Sequence, residues 1–170
     1  MDNEKQCNPG GFVNDMIRRC GSEPACRAAM RRADNPNSGC CAWEYLVPWC
    51  DISKDHERLP FALIGAAIAR ETPTADGEKD IGELFRRICV TEDDRTRERS
   101  RFRRIISCDS GRELCDVMRP VLSYLQREVP GQIGYARLLR DMLFWNERVK
   151  LRWTANFYGA KQEDEEDVSD

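Results

Sequence analysis

Residues 135–143 read YARLLRDML, and the spacing inside this stretch decides the fold. Tyr135, Leu138, Leu139, Met142 and Leu143 stand at i, i+3, i+4, i+7 and i+8. That is the apolar stripe of an amphipathic helix and not the alternation of a strand. Downstream, Val149, Trp153 and Phe157 continue the same period on a last helix. Upstream, Ser110 and Glu113 are spaced as a capping box ahead of Leu114, Val117, Met118, Val121 and Leu122, and Pro120 predicts a kink. Before that, Thr91 opens a helix among Glu92, Asp93 and Asp94, acids that suit the positive end of its dipole. It runs through Arg95, Arg97, Arg99, Arg101, Arg103 and Arg104 to Ile106. Four successive antiparallel helices with short links predict a C-terminal bundle.

The same period extends toward the N-terminus. Phe12, Val13, Met16 and Ile17 predict a short helix, and Ser22 is placed to cap a second one with Pro24 in its first turn, running to Arg32. Residues 34–39, rich in Asn, Pro and Ser, read as a loop. Trp43, Tyr45, Leu46, Val47 and Trp49 form an aromatic cluster ending near Pro48, read as one short helix wedged into the core. Residues 61–68 are apolar on nearly every side and include Gly65, Ala66 and Ala67, which predicts a surrounded, closely approached helix. A polar linker over 71–79 precedes a helix over 80–89. The reading is all-α: an N-terminal helical lobe (1–90) packed on a C-terminal four-helix bundle (91–160), with a disordered acidic tail (161–170).

A net charge of -3, from 27 Lys and Arg against 30 Asp and Glu, argues at first against a polyanion partner. Six of those acids lie in the last eight residues, which hold no base, so the remaining chain carries 27 bases against 24 acids. The body is mildly basic, and most of its bases are Arg, whose planar fork matches phosphate oxygens. The nine cysteines are odd in number and no signal peptide is evident, which points to reduced thiols and a cytoplasmic location. The longest nearly continuous apolar run, residues 60–69, is too short for the roughly 20 residues of a membrane span.

No catalytic constellation is visible. His56 is the lone histidine, flanked by Asp55 and Glu57, and reads as a surface residue. Gly10-Gly11 and the glycines at 131 and 134 lack the strand-loop-helix context of a phosphate loop. Cys20, Cys26, Cys40, Cys41 and Cys50 lie within about thirty residues but without C-x2-C spacing, so buried small side chains are preferred over a metal site. Cys108 and Cys115 likewise read as structural, and no cofactor is expected. Trp145 and Trp153 fall on apolar stripes and read as core rather than as stacking platforms.

The arginines are the positive signal. Arg97, Arg101 and Arg104 fall at i, i+4 and i+7 beside Phe102, Ile105 and Ile106. Arg148 and Arg152 form a similar pair, and Arg27, Arg31 and Arg32 end the second helix. A solvated face partnered by Asp94 and Glu98 explains the first group equally well. Phosphate contact requires no particular spacing, so spacing leaves both readings open.

Two longer stretches bear on the choice. Residues 102–126, FRRIISCDSGRELCDVMRPVLSYLQ, and 133–158, IGYARLLRDMLFWNERVKLRWTANFY, closely resemble the C-terminal half of the CasB family, the small subunit of the type I-E CRISPR surveillance complex Cascade. RAAMRRA (27–33), the aromatic segment around Trp43 and Trp49, and the Ala-rich helix resemble its N-terminal half more loosely. The resemblance implies a non-catalytic protein, present in two copies. It would pack along the guide-RNA backbone subunits beside the large subunit and contact guide RNA and target DNA. It further implies arginines that hold the displaced non-target strand and support the guide-target hybrid. The matching positions are Arg32 in MRRA, Arg119 in VMRPV and Arg148 in NERVKLRW, with Arg31, Arg101, Arg104 and Arg152 as extensions. The cysteine load and the acidic tail depart from the family. Two other classes are weighed beside it: a protein-binding adaptor that never touches nucleic acid, and a metal- or thiol-dependent redox enzyme suggested by the cysteines alone.

Overall fold

The structure, a computed structural model, describes residues 7–159. Its helices are α1 (Pro9–Ser22), α2 (Pro24–Met30), α3 (Trp43–Leu46), α4 (Asp55–Glu71), α5 (Ile81–Ile88), α6 (Glu92–Ile106), α7 (Gly111–Glu128), α8 (Tyr135–Leu143) and α9 (Glu147–Tyr158). A 3-10 turn, Gly39–Ala42, precedes α3. Among the described residues there is no strand, only an isolated bridge between Lys79 and Ile133, and the fold is all-α. The expected acidic tail lies outside the described residues.

The caps explain most of the boundaries. Thr91 Oγ1 accepts from the Asp94 amide at 3.1 Å while the Asp94 carboxylate accepts from the Thr91 amide, a full capping box for α6. Asp80 and Glu83 make the same reciprocal pair at the start of α5. Ser110 Oγ accepts from the Glu113 amide at 3.2 Å, but Glu113 reaches one residue further back, to the Asp109 amide. Ser22 does not cap α2. It is the last residue of α1, where its hydroxyl donates to the Arg18 carbonyl, and Glu23 takes the cap position ahead of Pro24. Nor does α2 reach Arg32. It stops at Met30, and i→i+3 bonds from Arg32 and Ala33 tighten the chain into a turn that delivers Asp34 to a buried position. Pro120 lies inside α7, which continues on both sides of it.

Helix α4 is the centre. Every residue from Pro60 to Ala69 is buried. At Gly65 a Cβ would overlap Met30 Cε and meet Phe12 Cζ at 3.3 Å, so the Met30 side chain of α2 and the Phe12 ring of α1 fill the space that a side chain here would take. The aromatic segment is wedged in only partly: Leu46 is buried and the Trp49 ring meets Phe12 at 5.9 Å, but Trp43 and Val47 are 43 % and 42 % exposed.

The C-terminal helices do not close on themselves. α7 lies mainly on α4, α9 mainly on α5, and α8 on α1 and α4, so packing crosses the expected boundary at residue 90 and the buried side chains form one cluster. Part of the junction is polar. Gln126 of α7 donates to the Ala67 carbonyl and to the Tyr135 hydroxyl, both at 2.8 Å, and Tyr135 donates to Glu71. Burial and the neighbouring Glu71 carboxylate push the Tyr135 phenol well above its ordinary range. A buried network of this kind fixes the register of the helices it joins.

Candidate nucleic-acid interface

Three groups of arginines emerge, and their environments differ. The first surrounds Asp34, whose side chain is 3 % exposed. Its carboxylate accepts from Arg70 at 2.6 and 3.0 Å and lies 3.5 Å from Arg119 Nε on α7. Arg70 also donates to the Arg31 carbonyl at 3.0 Å, and Arg31 Nε donates to the Ala69 carbonyl at 3.2 Å. Arg32 is exposed on the same turn and its guanidinium has no partner among the described residues. Arg70 and Arg119 therefore share one carboxylate, and Arg31 and Arg32 stand on the adjoining turn, which leaves more guanidinium groups than acids around Asp34. The groove continues along α4 and α7 to Asp55, which pairs with Arg58 and, at 3.0 Å, with Arg112.

The second group lies on the other side of α7, in a groove of ≈ 730 Å³ between α6 and α7. Arg101 is tied down: it stacks over the Tyr124 ring at 4.2 Å and lies 3.6 Å from the buried Glu98 carboxylate, which accepts from the Tyr124 hydroxyl at 2.8 Å. Burial first, then the bond to Glu98, pushes the Tyr124 phenol up to about 12. Arg104 and Arg127 line the same groove, and Arg104 is exposed with no side-chain partner among the described residues. Glu113 and Asp116 also line it, and Asp116 lines the Asp34 groove as well.

The third group, on α9, divides. Arg148 is exposed and has no partner among the described residues, beside Leu151 at 64 % exposure. Arg152, one turn on, pairs with Asp141 and lies 3.8 Å from Asp80, both buried. Asp141 also accepts from Trp153 Nε1 at 2.8 Å, and Asp80 from Asn156 at 2.6 Å. Burial raises the Asp80 carboxyl above its ordinary value. Arg152 thus neutralises buried acids at the α5–α8–α9 junction. No described contact joins the α9 pair to the other groups.

Sequence reasoning missed Arg70, Arg112 and Arg127. Arg70 ends a buried helix and gains its role from Asp34, 36 residues away, so no local signal marks it. His56 is a surface residue, 3.8 Å from Glu57. Trp153 is fully buried and Trp145 half-buried, its indole donating to the Cys108 carbonyl. The described cysteines are free thiols. Burial pushes Cys20 and Cys115 up to about 12, which keeps them protonated and inert. Among the described residues no three His, Cys, Asp or Glu side chains converge as a metal-binding group. No helix among them is long and apolar enough to cross a membrane.

The family profile for CRISPR-associated protein Cse2 matches residues 26–158, from the middle of α2 to the end of α9. The chain belongs to the Cse2 family. A Cse2 protein of Thermus thermophilus is 27% identical, over 94% of this chain and 95% of that one. The crystal structure of CasB from Thermus thermophilus superposes with a TM-score of 0.63 at 25% identity, covering 91% of this chain and 99% of that one. A chain of a CRISPR RNA-guided surveillance complex has the same fold, with a TM-score of 0.71 at 18% identity over 89% of this chain and 92% of its own.

Proposed function

We propose that this chain is a non-catalytic small subunit of a type I-E CRISPR RNA-guided surveillance complex. In this reading it holds the nucleic-acid backbone of the displaced non-target strand and of the guide-target hybrid, and so stabilises the R-loop. The observation that carries the reading is that Arg70 and Arg119 share the single carboxylate of Asp34, with Arg31 and Arg32, the latter unpartnered among the described residues, on the adjoining turn. Such a face contacts phosphates without reading bases, and its affinity falls as salt rises because bound counterions are released. Strand exchange between a DNA duplex and a guide hybrid is nearly balanced in free energy, so a few backbone contacts are enough to tip it.

Family membership and the likeness to a surveillance-complex chain support assembly with guide-RNA backbone subunits, the large subunit and a second copy, in the cytoplasm. A second reading, a scaffold that touches protein only, is favoured by the exposed side chains of Phe144 (59 %) and Leu151 (64 %). One experiment separates the two. Target-strand opening is measured with a guide-RNA complex carrying the native chain, an Arg32, Arg119 and Arg148 triple-alanine variant, or no such chain. A variant that joins the complex yet opens DNA as poorly as the depleted complex supports the nucleic-acid reading. Normal opening supports the scaffold.

A further inference from the structure

A cavity of ≈ 270 Å³ at the meeting of α5, α6 and α9 includes none of the arginines selected from the sequence. Among the described residues it is lined by Arg86, Cys89, Arg95, Arg99, Phe157 and Tyr158, none of them a carboxylate. Glu92, Asp94 and Glu98 of α6 are already paired. Glu92, itself 81% exposed, lies 3.8 Å from Arg95, Asp94 holds the Thr91 amide and Arg97, and Glu98 holds Tyr124 and Arg101. Arg99 Nε is buried and has no hydrogen-bond partner among the described residues. A buried donor without an acceptor is costly, and three guanidinium groups lining one cavity repel one another until an anion arrives. Tyr158 is 53 % exposed, its ring 5.9 Å from the Arg99 guanidinium carbon and braced at 4.8 Å by the perpendicular ring of Phe157.

We infer that this cavity is a separate phosphate-binding point, in which Arg86, Arg95 and Arg99 take one phosphodiester of a single-stranded nucleic acid and Tyr158 stacks the adjoining base. The inference rests on the nucleic-acid reading above but uses none of its residues. A phosphodiester supplies what the cavity lacks, oxygen acceptors for Arg99 Nε and for two further forks. Stacking on an exposed tyrosine accepts any base, in keeping with backbone binding that ignores sequence.

The test follows the Arg99 Nε–H signal and the Tyr158 ring signals by NMR on the full chain at low salt. Inorganic phosphate is titrated in one arm and an unstructured single-stranded DNA oligonucleotide in the other. Both ligands should shift Arg99, and the oligonucleotide alone should shift Tyr158, at an affinity about tenfold or more above that of phosphate. Arg99→Gln should weaken oligonucleotide binding about tenfold and Tyr158→Ala about fivefold. Silence at Arg99 and Tyr158 while Arg32 and Arg119 respond overturns this site and leaves the wider reading standing. Silence at every arginine overturns both. Equal affinity for phosphate and oligonucleotide, with Tyr158 unmoved, overturns the nucleic-acid occupant in favour of a free anion.

Discussion

At Asp34 two guanidinium groups share one buried carboxylate, whereas at the α5–α8–α9 junction one guanidinium, that of Arg152, meets two buried carboxylates. The ratio of charges is inverted, and so is the consequence. Around Asp34 the acid positions bases and leaves their excess charge outward. Around Arg152 the base permits two acids to be buried, and no charge remains for a partner. Burying ions is tolerated only when they are paired, so the count of charges at each junction separates an interface from a structural tie.

The severest trial of this contrast is Asp141→Ala, which leaves Arg152 only the more distant Asp80 and removes the acceptor of Trp153 Nε1. Breaking a buried pair on one side costs about 3 kcal/mol or more, so chemical denaturation should show a large loss of stability. Arg152→Ala should likewise destabilise. If it instead leaves stability intact and weakens DNA binding, the contrast collapses.

Asp34→Ala should cost less, about 1–2 kcal/mol, because Arg70 and Arg119 are 35% and 42% exposed and water can take over part of their solvation. Its sharper signature is in binding. Removing the one shared acid should hold or raise affinity for single-stranded DNA and steepen its salt dependence, read by fluorescence anisotropy across a salt series. Arg119→Ala should do the reverse.

Arg104→Ala and Arg148→Ala remove groups with no partner among the described residues and should shift Tm by less than about 2 °C. Each should reduce the slope of log affinity against log salt by about 1. An unchanged slope at both positions confines the interface to the Asp34 face.

The smallest effect is that of pH. Burial raises the carboxyls of Asp76 and Asp80, so each binds a proton more readily in the folded chain than in the unfolded one. Their contribution to stability is complete below the unfolded value of about 3.9 and is lost as pH rises through the higher folded values. Asp76 also holds the Tyr135 and Ala136 amides at the start of α8. In Asp76→Asn the decline of the urea midpoint over that window should be shallower than in the parent chain.

Reading the sequence located the helices because their causes are local. Apolar spacing set the faces of α7, α8 and α9, and Thr91 and Ser110 marked where α6 and α7 begin. Local signals misled where a neighbour competed: Ser22 has the chemistry of a cap, but α1 claims it and Glu23 takes the place ahead of Pro24.

The arginines show the other limit. Arg148 and Arg152 are equivalent by spacing, yet one stands free in solvent and the other closes a junction, because Asp80 and Asp141 reach Arg152 alone. Arg70 carried no mark in the sequence and proved central to the Asp34 cluster. The sequence by itself determined the helical class, the buried α4 and an excess of arginine in the body of the chain, since periodicity, capping and composition need no distant partner. Only the tertiary structure decided which arginines keep their charge for a ligand. Neutralisation depends on separation in space, and the carboxylates concerned come from other helices and turns.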